Sequence, residues 1–489
     1  MEYTLIILYC TSLLFIFLFS IGQLHLTWHY LKSKRNEIET CESIAEELLP
    51  IVTVQLPIYN EKYVVQRLIE AVANFDYPLE KLEIQVLDDS TDDTVEIIAK
   101  EIEKYAKEGV DIRHIRRPER VGFKAGALQY GMKICKGEFI AIFDADFIPE
   151  RNFLRKTIPY FSEENIGMVQ TRWGHLNKDY SLLTKLQAFG LDAHFSIEQS
   201  GRSHAKSFIN FNGTGGVWRK STIIDAGGWS ADTLTEDLDL SYRAQLSGWQ
   251  FKYLEDVVAP AELPVIMPAI KSQQYRWNKG AAETAKKNLG KVMRSNIRLS
   301  SKIHALFHLF NSSVFVSLLI ASFLSIPMLY IKDANPKLEL LFDLGSIFLI
   351  GFFSIAFFYW VATKNTVKEK HAKYYFRIFP AFLTVSMGLS LHNAFAVIEG
   401  LLGFKSDFIR TPKFNVTNKD DSWEGNIYIK PQLSILSIFE LLLGIYFLFG
   451  IASGIYLHDW GLMIFHVMLT LGFSTVFYHS VKPISHAKK

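Results

Sequence analysis

Cysteine is scarce: Cys10, Cys41 and Cys135 are the only three in 489 residues, and their spacing matches neither a metal site nor a disulfide framework. That excludes a stapled secreted domain and fits a catalytic portion in a reducing compartment. Neither sign of charge prevails. Lys and Arg number 52 against 50 Asp and Glu, for a formal net charge of +2, and no basic tract stands out. Nucleic acid is therefore excluded as the main partner. The apolar run at 4–22 (TLIILYCTSLLFIFLFSIG) has no basic residues ahead of it and no small-residue cleavage site behind it. A signal peptide is thus the poorer reading, and the run is just long enough to cross a bilayer. What the chain has in excess is apolar. It carries 38 Phe, and its mean hydropathy of +0.13 is high for a soluble enzyme. The excess sits in a few runs, so one average covers two solvents.

Basic clusters set the order of crossings. Lys32, Lys34 and Arg35 behind the first run place the next domain in the cytoplasm and the N-terminus outside. At 281–304, Arg294, Arg298 and Lys302 recur every fourth residue among apolar neighbours, which reads as one helix lying on an anionic lipid surface. Runs at 305–331 and 341–362 then cross and return through the polar loop KDANPKLE. The run at 378–402 is flanked by bases on both sides and interrupted by Pro380, His392, Asn393 and Glu399, so it reads as interfacial or re-entrant. Runs at 433–457 and 460–480 lead to a cytoplasmic tail, Lys482 to Lys489. Five crossings satisfy every charged loop. Glu440, inside a run, is a channel-lining or helix-packing candidate, since an acid in lipid is costly. The chain divides accordingly into an N-terminal transmembrane helix at 1–30, an α/β domain at 45–280 and an amphipathic helix at 281–304. Two transmembrane helices at 305–363, an interfacial segment with a loop at 364–432, and two more transmembrane helices with the tail at 433–489 complete it.

From 51 to 260 the pattern alternates. IVTVQLPI, LEIQVLDD, VDIRHIRR and EFIAIFDAD read as strands, with YVVQRLIEAV, DDTVEIIAKEIEKYA and KAGALQYGMKIC as the helices between them. This predicts a doubly wound, mostly parallel sheet with ligands beyond the carboxyl ends of its strands. The acids fall there. Asp144-Ala145-Asp146 puts two carboxylates on one side of a strand end, a hard-oxygen pair suited to Mg²⁺ or Mn²⁺ on a diphosphate. A surface turn would use the same residues. Asp88 and Asp89 close an earlier strand and suit a nucleobase or ribose, or else cap the next helix in competition with Ser90, Asp92 and Asp93. Thr235-Glu236-Asp237 opens a helical stretch with Thr235 as its expected N-cap. A carboxylate in that first turn is kept ionised, which makes Asp237, with Glu236 beside it, the expected general base for an acceptor hydroxyl. Gly213 and Thr214, in FNGTGG, let backbone approach an acceptor closely, or form a plain tight turn. Of Trp173, Trp218, Trp229 and Trp277, only Trp277 reads as a sugar platform; the others read as core. Gln273 belongs with it at the acceptor, while Lys124 and Arg276 suit the donor's phosphates.

Asp88-Asp89, Asp144-Ala145-Asp146, Thr235-Glu236-Asp237 and Gln273-x-x-Arg276-Trp277, in this order, resemble the D, DxD, TED, QxxRW set of processive family 2 glycosyltransferases. That group includes cellulose, hyaluronan, chitin and plant mannan synthases. The resemblance covers about 50–430 and implies a GT-A fold, an inverting transfer from a nucleotide sugar and a divalent metal. It also implies that Asp88 or Asp89 binds the nucleotide, Asp146 the metal, and that Asp237 is the base. Phe414-Asn415-Val416-Thr417-Asn418-Lys419 resembles the FxVTxK gating loop of bacterial cellulose synthase, so Phe414, Val416, Thr417 and Lys419 are expected to close over the donor. Gly122-Phe123-Lys124-Ala125-Gly126-Ala127-Leu128 and FNGTGGVWR look more like plant cellulose-synthase-like mannan and glucan synthases, and no PilZ domain is expected.

The expected function is therefore polymerisation of UDP-glucose or GDP-mannose into a β-linked polysaccharide, of β-1,4-glucan or mannan/glucomannan type, with export across the membrane. The expected place is the plasma (inner) membrane, with the growing polysaccharide, membrane lipids and accessory export subunits as partners. Two competitors are a non-processive enzyme that glucosylates a lipid, as ceramide glucosyltransferases do, and a catalytically dead scaffold or transporter.

Overall fold

The computed structural model describes residues 2–34, 44–338, 345–429 and 433–487; Arg35, Cys41, Lys430 and the tail residues Lys488 and Lys489 lie outside the described residues. Seven strands form one sheet: β1 Val52–Ile58, β2 Leu82–Asp88, β3 Asp111–Arg116, β4 Phe139–Ile142, β5 Ile166–His175, β6 Gly216–Arg219 and β7 Gln250–Ala261. Their order across the sheet is β3-β2-β1-β4-β6-β5-β7. β6 runs antiparallel to both its neighbours and all other pairs are parallel.

The first four strands lie where the apolar runs put them: β1, β2 and β4 are buried on both faces, while the edge strand β3 buries only Ile112 and Ile115. Side chains alternate across β4: Phe139 and Ala141 join one apolar layer, while Ile140 and Ile142 join the other. Helices Val65–Ala73 and Thr94–Lys107 feed the first layer, and Phe123–Met132 the second. Trp218 and Trp229 are core residues of that second layer. Polar residues buried inside the sheet pair across strands, Thr53 with Glu83 at 2.6 Å and Gln55 with Gln85 at 3.0 Å.

Among the described residues, five helices are each long and apolar enough to cross a bilayer: Glu2–Ser33, Asn311–Ala334, Gly345–Thr366, Ile435–Tyr456 and Met463–Ile484. The chain is a membrane protein on that evidence. Helices His371–Gly388 and Ser390–Leu402 form a pair bent by 51°, in the region read from sequence as interfacial or re-entrant.

The amphipathic helix expected over 281–304 is not formed as one element. Helix Met267–Arg294 runs through the boundary expected at 280 and stops at Ser295, whose backbone is extended. Arg298 is the N-cap of a separate helix, Leu299–Leu309, so Arg294, Arg298 and Lys302 share no helical face. The break has a local cause: the Ser295 hydroxyl donates to the Val292 carbonyl at 2.6 Å, competing with the helical ladder.

Helix Met267–Arg294 is anchored in the membrane portion. Its Lys271 ammonium lies 2.7 Å from Glu440 on Ile435–Tyr456, with the carboxylate wholly buried. Glu440 is therefore a helix-packing group. The polar residues that interrupt the bent pair grip the same helix: Asn393 donates to Gln274 at 2.8 Å, a His392 ring nitrogen meets the Lys271 carbonyl at 2.9 Å, and Glu399 pairs with Lys279 at 3.3 Å. Breaking a buried ion pair from one side typically costs about 3–5 kcal/mol, more than replacing both partners. Lys271→Met or Glu440→Leu alone is thus expected to lower the melting temperature in detergent clearly more than the double variant; equal losses in all three would contradict this.

Candidate active site

The carboxyl ends of β1, β2, β4, β5 and β7 open into one cleft, closed from the other side by helix Met267–Arg294 and by the segment 408–413. Into its wall come Asp89, Asp144, Asp146, Glu236 and Asp237, together with Lys124, Gly213, Gln273, Arg276 and Trp277. Residues from 89 to 277 meet because parallel strands all deliver their ends to the same edge.

Lys124 is the centre of charge. Its ammonium lies 2.6 Å from Asp144 and 3.9 Å from Glu236, and donates to the Gly213 carbonyl at 2.8 Å. It comes from the start of helix Phe123–Met132, entered through Gly122 at φ +72°. Glu236 and Asp237 begin helix Glu236–Leu246, which packs against Met267–Arg294; there a Cβ on Gly280 would come within 2.5 Å of Thr235. That packing takes the Thr235 hydroxyl away from capping. It meets Thr284 at 3.2 Å, and no side-chain cap is made among the described residues, contrary to expectation. Asp237 accepts from the Leu238 amide at 2.8 Å. Burial, followed by the charge of Glu236 beside it, pushes the Asp237 carboxyl up to about 7.

Asp146 is buried, with Oδ2 2.5 Å from the Lys413 ammonium and Oδ1 enclosed with no hydrogen-bond partner among the described residues. Asp144 is a third exposed to the cleft. One orphaned and one accessible carboxylate oxygen two residues apart fit a hard divalent cation. No group of three or more His, Cys, Asp or Glu side chains gathers round a metal position among the described residues. The remaining ligands would then be substrate phosphate and water, as is usual for Mg²⁺.

Several expected residues sit elsewhere. Asp88 lies outside the cleft wall: it accepts from the Ser90 amide at 2.8 Å and meets His114 at 2.8 Å. Burial opposes its ionisation, but those bonds prevail and hold it below the usual carboxylate range. Only Asp89 reaches the wall, bound to Arg117 at 2.9 Å through Nε. The next helix is entered through Asp92, which accepts from the Thr94 amide at 3.0 Å. Thr214 is buried behind the cleft, where its hydroxyl accepts from the Asp144 amide at 2.9 Å; it positions the acid and does not face an acceptor. Phe414 and Val416 pack on Val265, Ile266 and Ala269, Thr417 is tied to Asp421 at 2.7 Å, and Lys419 is exposed. The segment just before that string enters the cleft instead, with Arg410 on Glu61 at 2.8 Å, Lys413 on Asp146, and Thr411 accepting from Arg276 at 2.7 Å.

Sequence reasoning passed over Glu61, Arg410, Thr411 and Lys413, which belong to no periodic pattern. It also assigned Trp173 to the core. Trp173 lines the cleft, its ring 6.5 Å from that of Trp277, and donates to the Thr214 carbonyl at 3.3 Å. Its place at the last residues of β5 was the available signal. Arg276 stacks over Phe408 at 4.7 Å with its Nε enclosed and unpaired among the described residues, leaving a planar donor fork beside the acids.

A mixed, mostly parallel sheet whose carboxyl edge gathers paired acids and a basic fork is the GT-A architecture of enzymes that act on nucleotide sugars. A mannosyltransferase from Pyrobaculum calidifontis, solved with GDP-Man and Mn²⁺, has this fold at a TM-score of 0.53 and 18% identity, covering 81% of this chain and 100% of that one. Residues 50–280 match the family described as Glycosyltransferase like family 2. Glucomannan 4-beta-mannosyltransferase 1 of Oryza sativa subsp. japonica is 44% identical over 267 residues, 53% of this chain and 51% of the relative. Glucomannan 4-beta-mannosyltransferase 2 of Arabidopsis thaliana is 41% identical over 283 residues, 57% and 53% respectively. Probable glucomannan 4-beta-mannosyltransferase 4 of Oryza sativa is 36% identical over 413 residues, 79% of this chain and 72% of the relative. The chain belongs to glycosyltransferase family 2, in the cellulose-synthase-like group that holds these mannosyltransferases. It spans about half the length of the first two relatives.

Gly213 holds φ +80°, and a Cβ there would come within 3.0 Å of an Asp237 oxygen and 3.3 Å of the Lys124 ammonium. Gly213→Ala is expected to lower sugar transfer by about a hundredfold, through displaced groups in the site, with the circular dichroism spectrum unchanged. Near-normal transfer would show that this approach does not matter.

Proposed function

We propose that the protein transfers mannose from GDP-mannose, in preference to glucose from UDP-glucose, to the end of a growing β-1,4-linked mannan or glucomannan. The carrying observation is the single cleft that joins Asp144, Asp146, Glu236 and Asp237 to Gln273, Arg276 and Trp277. The preference for mannose rests on the names of the relatives. We place the enzyme in the plasma membrane with the sheet domain in the cytoplasm and the N-terminus outside, since Lys32 and Lys34 follow the first span.

In this reading Asp237 accepts the proton of the acceptor hydroxyl. The acceptor oxygen attacks the anomeric carbon from the face opposite the nucleotide, and the bond to the diphosphate breaks with its electron pair leaving on the phosphate. An α-linked donor thereby gives a β-linked product. Asp144 and Asp146 would hold Mg²⁺ or Mn²⁺, which supplies positive charge to the departing diphosphate. Arg276 offers its fork to the same phosphates, and Trp277 and Trp173 offer ring faces to the acceptor sugar. Asp89 is near enough to the edge of β2 to take the nucleoside. Arg410 and Lys413, paired with Glu61 and Asp146, would exchange those carboxylates for donor phosphates as the 408–413 segment closes.

Two measurements test this. Purified protein given labelled GDP-mannose or UDP-glucose with Mn²⁺ or Mg²⁺ is expected to make long chains from GDP-mannose that a β-mannanase degrades. Product confined to solvent-extractable lipid would favour the lipid-glycosylating alternative, and incorporation from UDP-glucose alone would overturn the donor assignment. A base must be ionised to act, and Asp237 is protonated below about 7, so kcat/KM is expected to fall on the acid side with a midpoint near there. Asp237→Asn is expected to cut transfer at any pH by about a thousandfold; a variant with ordinary activity would remove Asp237 from the role.

A further inference from the structure

Away from the catalytic cleft, a second cavity of about 390 Å³ lies between helix Glu2–Ser33 and helix Leu299–Leu309. That volume suits a small ligand. Its lining is partly apolar, with Phe19, Ile303 and Phe307, and partly polar, with Arg202, His25 and His304. The His25 and His304 rings stack at 5.0 Å, one from each helix.

Arg202 is the informative residue. It is 3% exposed, and its Nε and Nη2 are enclosed with no hydrogen-bond partner among the described residues. The carboxylate of Glu198 lies 3.5 Å from Nη2, beyond a good hydrogen bond, and is itself bonded to His194 at 2.7 Å. A guanidinium presents a planar fork of donors that matches a phosphate, and a buried fork left unmatched is costly.

Depth along the first helix says what kind of molecule would match it. Phe19 belongs to the uncharged run, and Gln23 and His25 begin its polar continuation. Trp28 is 54% exposed with the Lys32 ammonium 5.2 Å over its ring, an arrangement typical of the headgroup level of a bilayer. Along the first helix the lining therefore passes from the acyl level at Phe19 to the headgroup level at His25. We propose that this cavity is a binding site for an anionic membrane phospholipid, its phosphate on the Arg202 fork beside His25 and His304 and its first acyl carbons against Phe19, Ile303 and Phe307. A free phosphate would satisfy the fork but leave the apolar lining uncovered.

Two variants separate the site from the stability of the fold. Arg202→Gln removes the fork. Gly22→Leu fills the cavity from a helical position where a Cβ meets no described atom within 4 Å, and it leaves Arg202 and Glu198 untouched. The full chain is reconstituted in nanodiscs of phosphatidylcholine with phosphatidylglycerol, extracted in mild detergent, and weighed by native mass spectrometry. About one phosphatidylglycerol per chain should be retained, favoured over phosphatidylcholine by about tenfold, with retention reduced about tenfold in each variant. Wild-type protein carrying no lipid, equal retention of the two lipids, or full retention by Gly22→Leu would each overturn the proposal. Inorganic phosphate that raises the melting temperature as much as phosphatidylglycerol would also overturn it, by making this a site for free anions.

Discussion

The cleft depends on one ammonium. Carboxylates delivered by the end of β4 and by the start of helix Glu236–Leu246 lie close together in a buried place, where like charges repel strongly and desolvation raises the cost further. Lys124 offsets that cost. It bonds Asp144 and the Gly213 carbonyl directly and lies 3.9 Å from Glu236. Asp237, one residue on, keeps an elevated proton affinity because burial and Glu236 act on it more strongly than Lys124 does.

A second constraint is mechanical. Helix Met267–Arg294 carries Gln273, Arg276 and Trp277 to the cleft, and the same rod is pinned in the membrane portion by Lys271 on Glu440 and by the polar face of the bent helix pair. Movement of the bundle cannot leave this side of the cleft where it was. A soluble sheet and a lipid-facing bundle therefore share one stiff element, and its buried ion pair fixes their register. The same coupling explains why a run apolar enough for lipid is interrupted by His392, Asn393 and Glu399: those groups bond to the rod.

The segment 408–413 adds a counter-charge from the far end of the chain. Arg410 pairs with Glu61 and Lys413 with Asp146; burial still pushes the Glu61 carboxyl up to about 7, against the charges of Arg410 and Lys413. Just beyond it, the FNVTNK string is tied down at its start, where Glu262 accepts from the Phe414 amide at 2.9 Å. Anchor and contact are thus adjacent in sequence and distinct in duty.

By itself the sequence determined the alternation of strand and helix, the five apolar helices and the set of acids at strand ends, because each is written in a local period or run length that burial enforces. It also carried the order of motifs that marks the family. Only the tertiary structure decided which of two neighbouring acids faces the cleft, Asp89 and not Asp88, since that turns on bonds to His114 and Arg117 from the next strand and the loop behind it. It likewise turned the Thr235 hydroxyl from capping to a contact with Thr284 and brought Trp173 into the site. Local patterns report which faces are buried; what a polar side chain pairs with depends on residues far away in sequence, and only the assembled chain supplies them.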